Sequence, residues 1–181
     1  IRLNLYRSRG ETNLRFKLFR YGAPITLTEV LPMLENMGMK VLSEHPYEMH
    51  VGDTAIVIQD FEVQPAGRLD FDLDTVRDTF QQSFERIWRG QTESDGFNKL
   101  ILGANLDWRQ VAMLRGVCKY LLQAGVPFSQ SYMEETLNRY PLIAAFFVVL
   151  FETKFDPARD KWAKAEIEQQ KKRLQKEIDT L

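Results

Sequence analysis

The 181-residue sequence is poor in the side chains that carry most protein chemistry. It has one cysteine, Cys118, and two histidines, His45 and His50. A lone thiol forms no internal disulfide, which suits a reducing compartment and, with it, a cytoplasmic location. The histidines stand five apart in a predicted strand, where side chains alternate between faces, and no cysteine cluster accompanies them. A zinc site is not expected. The ten glycines never fall as G-x-G, and G-x-x-x-x-G-K is missing, so neither phosphate-cradling fingerprint is present. There is no G-x-S-x-G elbow, and Cys118 falls on the apolar face of a predicted helix, where a thiol is inert core.

Long hydrophobic runs are missing too. The longest, LIAAFFVVLF at residues 142–151, falls short of the roughly 18 residues a bilayer-spanning helix needs. The net charge of −1 supplies no basic field for nucleic acid and leaves room for protein contacts. The N-terminus, IRLNLYRSRG, alternates instead of forming an apolar signal core. Residue 1 is Ile and not Met, a hint that the chain derives from a longer one.

What is there falls into two parts. Ile1, Leu3 and Leu5 alternate with Arg2, Asn4 and Tyr6; after SRGET the pattern resumes at Leu14, Phe16 and Leu18. Two period-2 stretches around a short Gly-containing link predict a hairpin. Thr26 and Glu29 have capping-box spacing ahead of a helix carrying Val30, Leu31 and Leu34 and stopped by Gly38, with Pro32 assigned to its first turns. Residues 39–63 read as two strands about a turn at Gly52 and Asp53, QPAGRLD as a loop, and residues 72–89 as an amphipathic helix stopped by Gly90. Strand, strand, helix, strand, strand, helix is most of a ferredoxin-like unit without its last strand. The extra N-terminal strand fills that slot. The expected fold class is therefore α+β: a permuted, four-stranded antiparallel sheet with two helices on one face over residues 1–90, followed by an all-α segment.

In that segment, residues 97–103 read as a short helix or turn. Trp108 to Ala124 presents Val111, Leu114, Cys118, Leu121 and Leu122 on one face, capped by Asp107. Ser131 and Glu134 have capping-box spacing for a helix to Tyr140, and Pro141 restarts the chain as an apolar helix over 142–154. A helix apolar all round must be buried all round, so it is expected at the centre of this half with one stripe left for a partner. FDPARD opens a last helix, 158–181, whose Ile167, Lys171, Leu174, Ile178 and Leu181 form a weak coiled-coil-like seam.

The stretch WRGQTESDGFNKLILGANLDWRQ, residues 88–110, gathers Glu93, Asp95, Asn98 and Asp107 beside Arg89 and Arg109. Paired carboxylates do acid–base work when an apolar pocket raises one of them. The same residue types cap helices, and caps need no further partners, so capping ranks ahead of catalysis. Arg89 is expected to pair with Glu93 or Asp95. A second candidate is RYGAPIT, where Gly22, Ala23, Pro24 and Thr26 precede a helix N-terminus that favours anions such as a carboxylate; an ordinary connecting loop is the plainer alternative.

LPMLENMGMKVLSEHPY, FERIWRGQTESDGFNKLILGANLDWRQVAMLRGVCKYLLQAG, PFSQSYMEETLNRYP and LFETKFDP resemble the region before the catalytic domain of the large, bacterial-type NAD-specific glutamate dehydrogenases. The resemblance runs from about residue 14 to residue 157. It implies that residues 1–90 are the last of several ACT-like modules, 91–157 a helical motif, and 158–181 a helix leading toward a catalytic domain. It implies a non-catalytic regulatory or structural role, with no cofactor in this segment and NAD in the parent enzyme, which interconverts L-glutamate and 2-oxoglutarate. The partners implied are other domains and subunits of a homo-oligomer and an amino-acid effector, with neither nucleic acid nor membrane. No catalytic or metal-binding residue carries over. Trp88, Arg89, Gly90, Glu93, Ser94, Asp95, Asn98, Asp107 and Trp108 are then expected to form a structural joint. A free-standing scaffold that assembles through the apolar and C-terminal helices is the alternative.

Overall fold

A computed structural model describes residues 1–52, 54–67, 71–155 and 164–180. The chain runs β1 (Arg2–Tyr6), β2 (Leu14–Tyr21), α1 (Leu27–Asn36), β3 (Met39–Val51), β4 (Thr54–Pro65) and α2 (Leu73–Trp88). A 3-10 turn, Gly96–Lys99, leads into the short α3 (Leu100–Gly103); α4 (Trp108–Gln123), α5 (Gln130–Arg139), α6 (Pro141–Phe155) and α7 (Lys164–Ile178) follow. Asp53 of the expected Gly-Asp turn, residues 68–70 of the QPAGRLD loop, residues 156–160 of FDPARD and Leu181 of the C-terminal seam lie outside the described residues.

The strands form one sheet in the order β1-β2-β4-β3, every neighbouring pair antiparallel. This is the expected permuted arrangement: β1 lies beside β2 in the place of the missing last strand. The period-2 pattern explains the layer. Leu14, Phe16 and Leu18 of β2 are buried on one face together with Phe61 and Val63 of β4. In register, Phe16 faces Leu5 on one side and Phe61 on the other. Val76, Phe80, Phe84 and Ile87 of α2 are buried at helical spacing. Phe16 meets the Phe80 ring edge-on at 5.7 Å and the Phe84 ring at 4.9 Å. Each such ring contributes about 1.5–3 kcal/mol by leaving water.

The sheet edges differ. At β1 the outward backbone groups of Leu5 are taken by α2: its N–H donates to Gln81 Oε1 at 2.8 Å and its carbonyl accepts from Arg77 Nε at 2.9 Å. On β3 a register shift falls between Val41 and Ser43. The same strand holds Pro46 opposite Gln59, tolerable because an edge strand has no neighbour to want its missing N–H.

One hydrophobic core continues from the sheet through α2 into Phe97, Leu100, Ile101, Leu106, Val111, Leu114, Met133, Ala144 and Val148. Three local expectations differ from the structure. Pro32 is the sixth residue of α1, past the turn where a missing N–H costs nothing. Ser129, not Ser131, caps α5, its Oγ accepting from Tyr132 N at 3.1 Å; an earlier start puts Ser131 inside the helix. α6 leaves open more than the one stripe expected: Ile143, Ala144, Val148 and Thr153 are buried, whereas Leu142, Phe147, Val149, Phe151 and Phe155 are exposed, because α6 has too few neighbours to cover every side. In α7, Leu174 is buried and Ile178 exposed, with Lys171 turned to Glu168 at 2.8 Å.

Candidate functional site

The motif between α2 and α4 is built around a side chain that pattern reading passed over, Arg115. It is 3% exposed and the only buried cationic residue among those described. α4 is capped by Asp107, whose Oδ1 accepts from the backbone N–H groups of Arg109 and Gln110 at 2.8 and 2.9 Å. That start places Arg115 on the same face as Val111, Leu114 and Cys118, pointing at the chain that leaves α2. α2 itself ends in a Schellman turn: Gly90 has φ of 66°, Gly90 N–H donates to Ile87 O, and Gln91 N–H donates to Arg86 O. Gly90 thus turns the chain back toward α4.

Arg115 donates from Nε to Asp95 Oδ2 at 2.6 Å and from Nη2 to Asp95 Oδ1 at 2.8 Å, a bidentate pair. Nη2 also donates to Asn98 Oδ1 at 2.6 Å, and the guanidinium lies 5.8 Å from the Phe97 ring. Asp95 Oδ1 accepts from Phe97 N–H at 3.1 Å and so caps the 3-10 turn, while Asn98 Nδ2 donates to the Glu93 carbonyl at 3.0 Å. Glu93 sends both carboxylate oxygens to Lys119 Nζ at 2.7 Å. Ser94 Oγ accepts from Asn36 Nδ2 of α1 at 3.1 Å, and Gly96 O accepts from Asn138 Nδ2 of α5 at 2.8 Å. A Cβ on Gly96 would collide with the Glu134 carboxylate.

Both acids are therefore engaged by cations of their own chain, and Asp95 also accepts a backbone N–H as a cap. Arg89, expected to take one of them, instead donates to Glu85 on its own helix at 2.6 Å. The i,i+4 geometry wins because Gly90 turns the following residues away from Arg89. Trp88 and Trp108 flank the joint: the Arg20 guanidinium stands 5.8 Å from Trp88, and Arg86 and Arg109 stand 5.3 and 5.1 Å from Trp108. Arg86 belongs to α2 and Trp108 to α4, so this contact also crosses between the two parts. A lone Arg among buried helix positions was the signal available in the sequence, since a cation there demands a buried carboxylate.

The second candidate, the loop before α1, is organised differently. Gly22 has φ of 81° and its N–H donates to Ala55 O at 3.1 Å. The buried Gln59 of β4 holds Ile25 at both ends, accepting from its N–H at 2.9 Å and donating to its carbonyl at 3.0 Å. Glu29 Oε2 accepts from Thr26 N–H at 3.2 Å and from Thr26 Oγ1 at 2.8 Å. A carboxylate from within the chain thus already stands at the start of α1. Gly22, Ala23, Pro24 and Thr26 are exposed around it.

His45 lies opposite Asp60 and His50 opposite Ala55 along β3. Among the described residues no group of three or more His, Cys, Asp or Glu side chains is placed to hold a metal ion. Among them also, no helix is long and apolar enough to cross a membrane. An apolar hollow of about 510 Å³ lies between α4, α5 and α6 and is lined by Val117, Cys118, Leu121, Phe128, Phe147 and Phe151 among others. Burial, and next the nearby Glu134 carboxylate, push the Cys118 thiol above its ordinary range. That is the opposite of what an activated nucleophile needs.

A βαββα sheet module with an added N-terminal strand, welded by a buried Arg–Asp pair to a helical motif, is an ACT-type architecture. Residues 1–76 match the description "Glutamate dehydrogenase, ACT3 domain", and residues 92–157 match "Glutamate dehydrogenase, helical motif 3". The chain is 46% identical over 158 residues to an NAD-specific glutamate dehydrogenase of Halomonas elongata, covering 86% of this chain and 10% of the relative. It is 38% identical over 172 residues to the Pseudomonas aeruginosa protein of that name (94% of this chain, 11% of the relative). To the Mycobacterium tuberculosis one it is 39% identical over 146 residues (77% and 9%). The chain belongs to the NAD-specific glutamate dehydrogenase family, and it spans about a tenth of the length of these curated relatives.

Proposed function

We propose that this chain is a regulatory and structural part of a long NAD-dependent glutamate dehydrogenase, a homo-oligomer of the cytoplasm and of amino-acid metabolism. Its parent would convert L-glutamate, NAD and water to 2-oxoglutarate, ammonia and NADH. Residues 1–90 are the ACT-like module, 91–157 the helical motif and 158–181 the stretch leading onward, whose described part holds α7 (Lys164–Ile178). The chemistry belongs to polypeptide outside these residues. No Gly-rich turn of the dinucleotide type occurs in this sequence.

The observation that carries this reading is the joint. Asp95, Asn98 and Arg115 tie the loop after α2 to α4, Ser94 ties it to α1, and Gly96 to α5. A displacement of the sheet module is thereby handed to the helices as a rigid-body motion and not absorbed in a slack linker. Trp88, Arg89, Gly90, Glu93 and the capped start of α4 at Asp107 and Trp108 complete that joint. The test is steady-state glutamate oxidation by the full-length enzyme carrying Asp95→Asn. The expected outcome is a changed response to effectors with an intact active site; an unchanged response would leave the joint only a local brace.

An amino acid is the effector class this module suits, with its carboxylate at Gly22, Ala23, Pro24 and Thr26. It would have to displace Glu29, so Glu29→Gln should tighten binding in calorimetric titrations against a panel of amino acids. No heat with any amino acid, in either variant, removes the effector and leaves the structural role. A scaffold acting by itself is the second reading, favoured by the exposed apolar side of α6. Sedimentation distinguishes it: a concentration-dependent oligomer that dissociates on deleting residues 158–181 would support it.

A further inference from the structure

The groove between α4, α5 and α6 plays no part in the joint. Its floor is Leu114, Cys118 and Met133, and its walls are Val117, Leu121, Phe128, Phe147, Phe151 and Phe155, with Lys154 at the rim. No residue of the sheet, α1 or α2 lines it, so it belongs to the helical motif alone. Phe128, Phe147, Phe151 and Phe155 are exposed, and the Phe151 and Phe155 rings pack together at 4.8 Å. Soluble surfaces seldom leave so many large apolar side chains together without a use for them.

We propose that this groove seats an amphipathic helix contributed by the part of the long polypeptide outside these 181 residues. The helix presents bulky apolar residues at i, i+3 or i+4, and i+7, with a carboxylate set against Lys154. The inference rests on the reading of the chain as part of a long dehydrogenase. Three observations select this occupant. The relatives are about ten times longer than the stretch matched here, so some nine-tenths of such a polypeptide lies elsewhere. A segment of the same polypeptide is present at an effective concentration no separate partner reaches, roughly millimolar for a flexible tether. The lining contains Tyr132, Thr136 and Lys154 as its only polar side chains, too few to orient an amino acid or nucleotide. Apolar walls running between helices are the form in which a helix docks by one face.

The test uses the full-length enzyme with Phe151 replaced by p-benzoylphenylalanine, irradiated, digested and analysed by mass spectrometry. The expected adduct is to one peptide outside these 181 residues whose apolar residues recur at helical spacing. An adduct to residues of this segment in a second subunit, an adduct to a lipid or acyl chain, or no adduct overturns the proposal. A second measurement compares Phe151→Glu in the two contexts. Its fall in Tm should be at least about twice as large in the full-length enzyme as in the 181-residue chain, because only there is the new charge covered. Equal shifts overturn the proposal. Glutamate-dependent NADH formation by the same preparation is read separately. Activity without the adduct defeats the groove assignment alone, whereas absence of activity from the natural gene product defeats the parent reading.

Discussion

The sheet region and the helical region place most of their phenylalanines differently. In the first, Phe16, Phe61, Phe80 and Phe84 are fully buried between two layers. In the second, Phe128, Tyr132, Phe147, Phe151 and Phe155 stand at the surface. The cause is geometric. A sheet face and two amphipathic helices have matching apolar sides, so one layer contact satisfies all of them. α6 is apolar on every side, and α4, α5 and α7 cover only part of it. The comparison teaches that surplus apolar surface is read against the number of neighbours a helix has, not against its hydrophobicity alone.

Substitutions probe that contrast. The largest effect is expected from Phe16→Ala, which removes the ring lying against Phe80 and Phe84. About 3–5 kcal/mol should be lost in urea unfolding. Because the core is continuous, sheet and helices should unfold together; two separate transitions would break the picture of one core. Next is Asp95→Ala, which removes the bidentate partner of the buried Arg115 and leaves it only the more distant, solvent-exposed Glu93 carboxylate at 3.8 Å. A loss of about 3 kcal/mol is expected. The double variant Asp95→Leu with Arg115→Met should recover much of it, since no charge is then stranded; if it is no better than the single variant, the pair is worth more than its burial cost.

Asp107→Ala should cost about 1 kcal/mol by removing the acceptor for two N–H groups at the start of α4. The smallest effect concerns Glu62 on the open face of the sheet. The Asn13 amide and then the Ser43 hydroxyl, which donate to its carboxylate at 2.7 and 3.1 Å, hold it below the usual range. A depressed carboxylate contributes stability above its unfolded value and loses it as pH falls through its folded value. Asn13→Ala should therefore move the Glu62 titration seen by NMR upward, toward the ordinary range; an unmoved midpoint would assign the depression to Ser43, Arg15 and His45 instead.

Much of the fold was legible in the residues. Leu14, Phe16 and Leu18 against Arg15 and Lys17 specify a strand with one buried face; Val76, Phe80, Phe84 and Ile87 specify a helix. Asp72 and Asp107 mark helix starts because their carboxylates accept from free N–H groups there, and Thr26 because Glu29 reaches back to its N–H. The site was less legible. Arg89 is the arginine nearest Glu93 and Asp95 in sequence, yet Arg115, twenty residues beyond Asp95, takes the carboxylate. Arg115 shares its helix face with Val111, Leu114 and Cys118, and a pattern that scores only apolar positions passes over it. Ser129 and Ser131 both precede a predicted helix, and only the packing of α5 against the Asp95 loop decides between them.

Sequence alone determined which segments are strands and helices and which face of each is apolar, because side-chain period and capping chemistry are local. It also specified the strand count and, through the missing final strand, the place β1 had to fill. Only the tertiary structure decided which cation meets Asp95, that Glu29 already occupies the start of α1, and that α6 keeps an uncovered side. Those outcomes depend on which elements come within a few ångströms of one another. Hydrogen bonds and dispersion act only at that range, so no spacing along the chain encodes them.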